Sequence, residues 1–441
     1  MTGLAVTGGT VLTPHGPVRS DVFLIGSRIV DVEANVGTTG TGDRRPGGSS
    51  EDGTVGAGAE RSVVDAPVRD DAVPVVGETP PAAGGAPGWR RRDGGVARLD
   101  ATGLLVAPGF IDLQCNGAVG VDLTAEPERL WQVAAALPRW GVTAWLPTVV
   151  TSPPDVRGRA FEALRSGPPP DAVVASPLGL HLEGPFLAPE RKGAHDARHI
   201  VAPSSDVIDG EGWSRDAAVA LVTLAPELPG ALGLVRRLAD RGVVVAAGHS
   251  SATAAQATAA VDAGVTYVTH LFNAMAPLHH REPGLAGVAL TDGRVHVGVI
   301  ADGLHVAPSM VALAARALGD RLSLVTDAVA ALGAPAGRIR LGRLTAVVSA
   351  ADGAVRLPDG TLAGSVLSLD RAVRNLVAFA GVPLAEAVRA ATSTPAAVLG
   401  LADRGVVARG AVGDLVLLTE AGEVVATVVA GRVAHDARTA A

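Results

Sequence analysis

Lysine is almost missing from this chain: Lys192 is the only one among 441 residues. Its scarcity excludes a Walker lysine, and it excludes a lysine at a strand end for a Schiff base or a carbamate metal bridge. Lys192 itself lies in the polar stretch Pro189–Gly193 and reads as a solvated side chain. Cysteine is equally rare. Cys115 stands alone, so no internal disulfide forms and a reducing compartment fits. No run reaches about eighteen uninterrupted apolar residues, so no membrane span is read. The start, Met1-Thr-Gly-Leu-Ala-Val6, lacks a charged segment followed by an apolar one, so no secretory leader is read. There is no basic block long enough to track a phosphate backbone, and the formal net charge is −7, so nucleic acid is not an expected partner. A glycine-rich nucleotide loop, a Ser-His-Asp signal and zinc-ribbon cysteines are also absent. What remains is the expectation of a soluble cytoplasmic protein, 48% hydrophobic and well able to bury a large core.

The pattern along the chain divides it. Residues 1–34 alternate short β-rich runs with turns and read as the first part of a small β-domain. Residues 35–95 are rich in Gly, Pro, Ser, Asp and Arg and poor in large apolar residues. Such a segment buries too little surface to offset its ordering entropy and reads as a disordered insertion. Within it, Ser62–Ala66 reads as a short strand and Trp89–Arg92 as a solvated basic knot. Residues 96–103 return to the β-domain, residues 104–398 carry a βα rhythm, and residues 399–441 revert to short strands. Eight buried strands are predicted at Leu104–Asp112, Ala144–Val150, Leu178–Glu183, Ala218–Leu224, Val243–Gly248, Tyr267–Leu271, His296–Ile300 and Leu322–Thr326. Helical patterns lie between several of them, at Glu128–Trp140, Pro154–Arg165, Pro229–Arg241, Ala252–Ala263 and Pro308–Leu318. Helices at Gly364–Ala380 and Pro383–Val398 follow the eighth strand. Near-continuous apolar strands alternating with helices predict a parallel sheet. Eight such units fit an α/β fold of the (β/α)8 TIM-like barrel type, beside a small β-sandwich domain made from both chain termini.

Four polar residues close four of those strands. Glu183 ends the third, before a Gly-Pro break. His249 follows the fifth, His270 the sixth and Asp327 the eighth. In a barrel these carboxyl ends meet at one mouth whatever their separation in sequence. Two imidazoles and a carboxylate are a suitable ligand set for a catalytic divalent ion, Zn2+ first and Fe2+, Co2+ or Mn2+ as well. An open position would take water and lower its pKa to about 7. Asp327 has three readings: a fourth ligand, a general base beside that water, or an N-cap. Each residue also has a plainer role, as a hydrogen-bonded strand end. His181 shares a strand face with Glu183 and reads as support for it or as core. His195 lies in the loop after strand three, and His305 follows strand seven. Either could meet a substrate or stay solvated. Arg281, beside His279 and His280 in a turn, is a fork for an anion or an ordinary surface arginine. His15, His199, His296 and His435 read as structural or solvated.

Several stretches then stand in a familiar order: Pro108-Gly-Phe-Ile-Asp112, His181-Leu-Glu-Gly-Pro185, Lys192-Gly-Ala-His195, Gly248-His-Ser-Ser-Ala-Thr253 and Thr269-His-Leu-Phe-Asn-Ala-Met275. They continue with Arg281-Glu-Pro-Gly284, Ala301-Asp-Gly-Leu-His305, Val325-Thr-Asp-Ala328 and Leu362-Ala-Gly-Ser365. As an ordered set they resemble the amidohydrolase superfamily and, within it, the N-acetylglucosamine-6-phosphate deacetylases. The resemblance implies hydrolysis of the N-acetyl group of a phosphorylated amino sugar. Glu183, His249 and His270 would bind the metal, and Asp327 would be the acid/base. His195 would contact the acetamide carbonyl and stabilise the oxyanion. Asn273, the Ala274 backbone, Arg281, His305, Leu362, Ala363 and Gly364 would hold the substrate. Arg281 and His305 would cross a homodimer interface. Two features depart from the pattern. Gln114-Cys-Asn116 stands where two-metal members carry His-x-His, so one metal is expected, with Gln114 as a substrate-contacting glutamine. The 35–95 insertion has no counterpart. The rival readings are an amidohydrolase for another N-acylated molecule, such as an N-acyl amino acid, and a barrel that binds without catalysis.

Overall fold

The computed structural model describes residues 3–13, 16–34, 96–349 and 353–439. His15, the Ser62–Ala66 strand, the Trp89–Arg92 knot and the rest of the 35–95 insertion lie outside the described residues. Eight parallel strands form the barrel: Phe110–Cys115, Val142–Val150, Leu180–Glu183, Val219–Leu224, Val244–Ala247, Val265–Val268, His296–Val299 and Leu322–Leu324. They are adjacent in that order. The barrel closes just past the ends of strands one and eight. There Asp327 N donates to Gln114 O at 2.9 Å, and Asn116 N donates to Ala328 O at 2.7 Å. The strands are short and buried along nearly their whole length, as expected where helices cover a parallel sheet.

The predicted first strand, Leu104–Asp112, divides in two. Leu105–Pro108 belongs to the terminal sheet, where it pairs with Gly3–Thr13 and Leu415–Leu418. The barrel strand begins at Phe110. Gly109 lies at the change of sheet because the chain passes close to strand two: a Cβ there would sit 2.2 Å from Thr143 Cγ2. The terminal sheet has eight strands drawn from both ends of the described chain and encloses its own apolar cluster, including Leu4, Val22, Leu99, Leu415 and Val428. Its first strand, Gly3–Thr13, is one long run with a bulge between Val6 and Gly9.

Helices Pro154–Arg165 and Pro308–Leu318 have the predicted bounds. Pro383–Val398 breaks into Leu384–Arg389 and Ser393–Val398. Among the elements that were not foreseen, two bear on the site. Helix Gly284–Thr291 is buried over seven successive residues, so it shows no amphipathic period. A three-stranded antiparallel sheet, Arg338–Leu341, Leu344–Val348 and Val355–Arg356, lies between strand eight and helix Leu369–Ala380. Leu341 and Gly342 of this sheet line the cavity at the barrel mouth, over which it forms a roof. It has a small core of its own that includes Val329, Ala346, Val348 and Val355.

Candidate active site

The barrel mouth holds a cavity of about 420 Å³. Glu183, His249, His270 and Asp327 all line it. Glu183 ends strand three, and the chain leaves it through Gly184, which has φ +91° and where a Cβ would fall 2.2 Å from Thr151 Oγ1. His249, His270 and Asp327 are non-glycine residues with positive φ, at 48°, 32° and 48°. A backbone turn of this kind costs roughly 1–3 kcal/mol each and persists only where the surrounding structure enforces it.

Glu183 Oε1 lies 3.1 Å from His249 Nε2 and 3.0 Å from His270 Nε2, and the two nitrogens are 3.1 Å apart. His249 Nδ1 is 2.8 Å from Arg191 O. A carbonyl only accepts, so Nδ1 carries the proton and Nε2 turns its lone pair into the cluster. All three residues are buried, and their donor atoms are close enough to share one divalent ion at bonds of about 2.0–2.2 Å. The donor set therefore fits a metal. Burial alone would raise the Glu183 carboxyl, but His249, His270 and His195 outweigh it and hold it well below the usual carboxylate range. Burial would likewise lower His270, yet its bond to Glu183 leaves it raised.

Asp327 stands in the opposite state. Burial, and then the charge of Glu183, push its carboxyl up to about 6. Its Oδ1 accepts from Asn116 Nδ2 at 2.6 Å and from Gln114 Nε2 at 3.1 Å. Gln114 Nε2 also donates to Glu183 Oε1 at 3.0 Å. The Gln114 amide is thus placed between the two carboxylates. His195 accepts at Nδ1 from Thr151 N at 3.3 Å, with Thr151 Oγ1 2.8 Å away. That leaves its proton on Nε2, which lies 3.8 Å from Glu183 Oε2. Burial, followed by repulsion from His249, lowers His195 to about 3, so it is a neutral donor aimed into the cavity. His181 lies beneath the site, bonded to Thr148 at Nδ1 and to Thr223 at Nε2. Burial lowers it to about 4, and it forms part of a neutral polar network inside the barrel.

Asn273, Ala274, Leu362, Ala363 and Gly364 line the same cavity. His305 does so as well, within its own chain, which corrects the expectation that it arrives across an interface. The reason is local: Asp302 accepts from the Leu304 and His305 amides, each at 2.8 Å, and lies 2.6 Å from His305 Nδ1. This turn aims the ring at the mouth of its own barrel. Arg281 is apart from these residues, exposed in the loop before helix Gly284–Thr291. Asn116, Thr151 and Asp302 are partners that sequence reasoning passed over. Asn116 and Asp302 stood inside quoted motifs, whereas nothing local marked Thr151.

The Amidohydrolase family matches residues 105–434. The N-acetylglucosamine-6-phosphate deacetylase of Danio rerio is 40% identical over 349 residues, which is 76% of this chain and 85% of that protein. An N-acetylgalactosamine-6-phosphate deacetylase of Escherichia coli O157:H7 is 40% identical over 298 residues, 67% of this chain and 78% of that one. A mutant N-acetyl-D-glucosamine-6-phosphate deacetylase from Mycobacterium smegmatis, solved in complex with N-acetyl-D-glucosamine-6-phosphate, superposes with a TM-score of 0.77 at 33% identity, covering 98% of this chain and all of that one. Sequence and fold agree over the part of the chain that carries the cluster, and this chain belongs to the amidohydrolase family.

Proposed function

We propose that this chain hydrolyses N-acetyl-D-glucosamine 6-phosphate to D-glucosamine 6-phosphate and acetate. The observation that carries this reading is that Asp327 and a neutral His195 line one cavity with the Glu183–His249–His270 cluster, in a chain whose relatives are deacetylases of such sugars. Glu183, His249 and His270 hold one divalent cation, for which Zn2+ is the first assignment and Fe2+, Co2+ or Mn2+ the alternatives. When bound, that cation supplies Lewis acidity at neutral pH. Asp327 takes a proton from the water as the water oxygen bonds to the carbonyl carbon, and then gives that proton to the nitrogen as the C–N bond breaks and the carbonyl re-forms. His195 Nε2–H donates to the carbonyl oxygen as negative charge develops there. Asn116 and Gln114 keep the Asp327 carboxylate turned toward the scissile bond.

Asn273, Ala274, His305 and the Leu362–Gly364 segment hold the sugar. Arg281 serves the phosphate of a neighbouring copy, so the working form is a homodimer in the cytoplasm. Support for this comes from its exposure on a loop outside its own cavity, together with the affinity of a guanidinium fork for phosphate. Light scattering should report a dimer. A mixture of Arg281→Ala and Asp327→Asn chains should regain activity that neither has alone. A monomer, or no recovery on mixing, would remove the shared site. Acetate release should vanish when metal is stripped and return when it is added back. It should be far slower on the unphosphorylated sugar, and equal rates would refute the phosphate assignment. The C4 epimer is the one rival substrate with direct support, from the Escherichia coli O157:H7 relative. A kcat/KM ratio for the two epimers decides between them.

A further inference from the structure

The cavity continues past the scissile centre. Asn273, Ala274 and His305, after strands six and seven, mark its sugar end. Glu183 and Asp327 stand at the reacting bond. Beyond them the cavity runs on toward the ends of strands one and two, where Thr124, Val150, Ala194, Leu341 and Gly342 form its walls. A substrate with its sugar at one end and its amide over Glu183 and Asp327 sends its acyl group into this other end. Val150, Ala194 and Leu341 are the apolar part of that wall, beside Thr124 and Asp122, and Leu341 and Ala194 both pack against the core of the roof sheet.

The wall is also tied down. Gly342 N, at the roof hairpin, donates to Asp122 Oδ2. Asp122 Oδ1 accepts from Thr124 N at 2.8 Å, and Thr124 Oγ1 accepts from Val150 N at 3.2 Å. One chain of hydrogen bonds therefore joins the roof hairpin to the loop after strand one and to the end of strand two. It holds Leu341 over the acyl end. The same five wall residues also line a second cavity, of about 180 Å³, next to the first. They form the partition between the two.

We propose that Leu341, with Val150 and Ala194, is the acyl-length stop of this enzyme. It confines turnover to sugar phosphates carrying a two-carbon N-acyl group, and cutting it back opens the second cavity to longer acyl chains. This inference rests on the deacetylase reading above. The test uses the metal-loaded full chain and three substrates: N-acetyl-, N-propionyl- and N-butyryl-glucosamine 6-phosphate. An added methylene in an apolar pocket is discriminated by roughly 10–200-fold, so wild type should disfavour butyryl against acetyl by about 100-fold or more. Leu341→Ala should raise the butyryl-to-acetyl ratio of kcat/KM by about tenfold or more, and Leu341→Phe should lower it. A ratio taken within one preparation does not depend on how much of the variant has folded. Dissociation constants for the N-butyryl compound, measured by calorimetry with Asp327→Asn carrying the same changes, should move in the same directions. A ratio unchanged in both variants, with wild type releasing acetate, overturns this inference alone. Failure of wild type to release acetate overturns the deacetylase reading and this inference with it.

Discussion

Asp327 and Glu183 are two buried carboxylates bridged by one amide, and their surroundings drive them apart. Three imidazoles around Glu183 favour its charge. The charge of Glu183, added to burial, opposes that of Asp327. Such a split separates a ligand from a proton carrier. Replacing Asp327 by Asn should lower kcat by about 10²–10⁴-fold while metal content stays near one per chain. Near-wild-type turnover would end its role as acid/base, and loss of the metal would make it a ligand. The pH dependence has a definite sign. Asp327 must be ionised to accept a proton, so kcat/KM rises with pH through its titration. Its carboxyl stands at about 6 without a cation, and a nearby positive charge lowers it further. The acid limb of the loaded enzyme should therefore have its midpoint at or below about pH 6. A midpoint above neutrality would point to a different group. At this scale the four strand-end residues were legible because each closes an apolar run. The tautomers of His249 and His195 were not, because Arg191 O and Thr151 reach them only through folding.

Among the elements, the loop after strand three depends on packing from a distant segment. Trp213 is fully buried, lies with its ring centroid 6.0 Å from that of Phe186 at a tilt of 52°, and donates through Nε1 to Glu211 at 3.0 Å. Glu211 in turn grips Arg157 through two bonds of 2.5 and 2.7 Å, and Arg157 holds Ser152 O at 2.6 Å. One aromatic ring thus supports both the start of the loop that carries His195, at Phe186, and the segment beside Thr151, the partner of His195. Trp213→Ala should cost about 3–5 kcal/mol by urea denaturation, together with a loss of kcat. A cost under about 1 kcal/mol would show that the loop is held by other contacts. Elements with an amphipathic face, such as Pro154–Arg165, could be read from the sequence to the residue. Helix Gly284–Thr291 could not, since burial on every side erases the period. The roof sheet escaped too, because its strands are short and are stabilised mainly by a small core shared with Val329 and Ala363.

For the whole molecule, the seam between strands one and eight is the point of closure. Asp112 sits there fully buried, accepting from Thr326 Oγ1 at 2.6 Å and from the Gln114 and Thr326 amides at 3.2 and 3.3 Å. Burial pushes its carboxyl up to about 7 from 3.8 despite those bonds. A raised folded-state value means that the native protein binds this proton more tightly than the unfolded chain does. The associated stability is complete below about pH 4 and is lost as pH rises through 7. Asp112→Asn keeps the shape without the charge. Its stability relative to wild type should therefore climb between about pH 4 and 7, by an amount on the order of a few kcal/mol, and level off above. A flat difference across that range would show that Asp112 does not carry this cost. The sequence by itself determined the βα order, the apolar strands and the acids and histidines that close them, because periodicity and strand-end punctuation are local. It also carried the order of motifs that marks the family. Only the tertiary structure decided that Leu105–Pro108 leaves the barrel for the terminal sheet, that His305 lines the cavity of its own barrel while Arg281 stays outside, and that Leu341 of the roof sheet lines the same cavity. Each of these depends on contacts between segments far apart in the chain, such as Asp122 with Gly342, whose energy appears only once closure has brought them together.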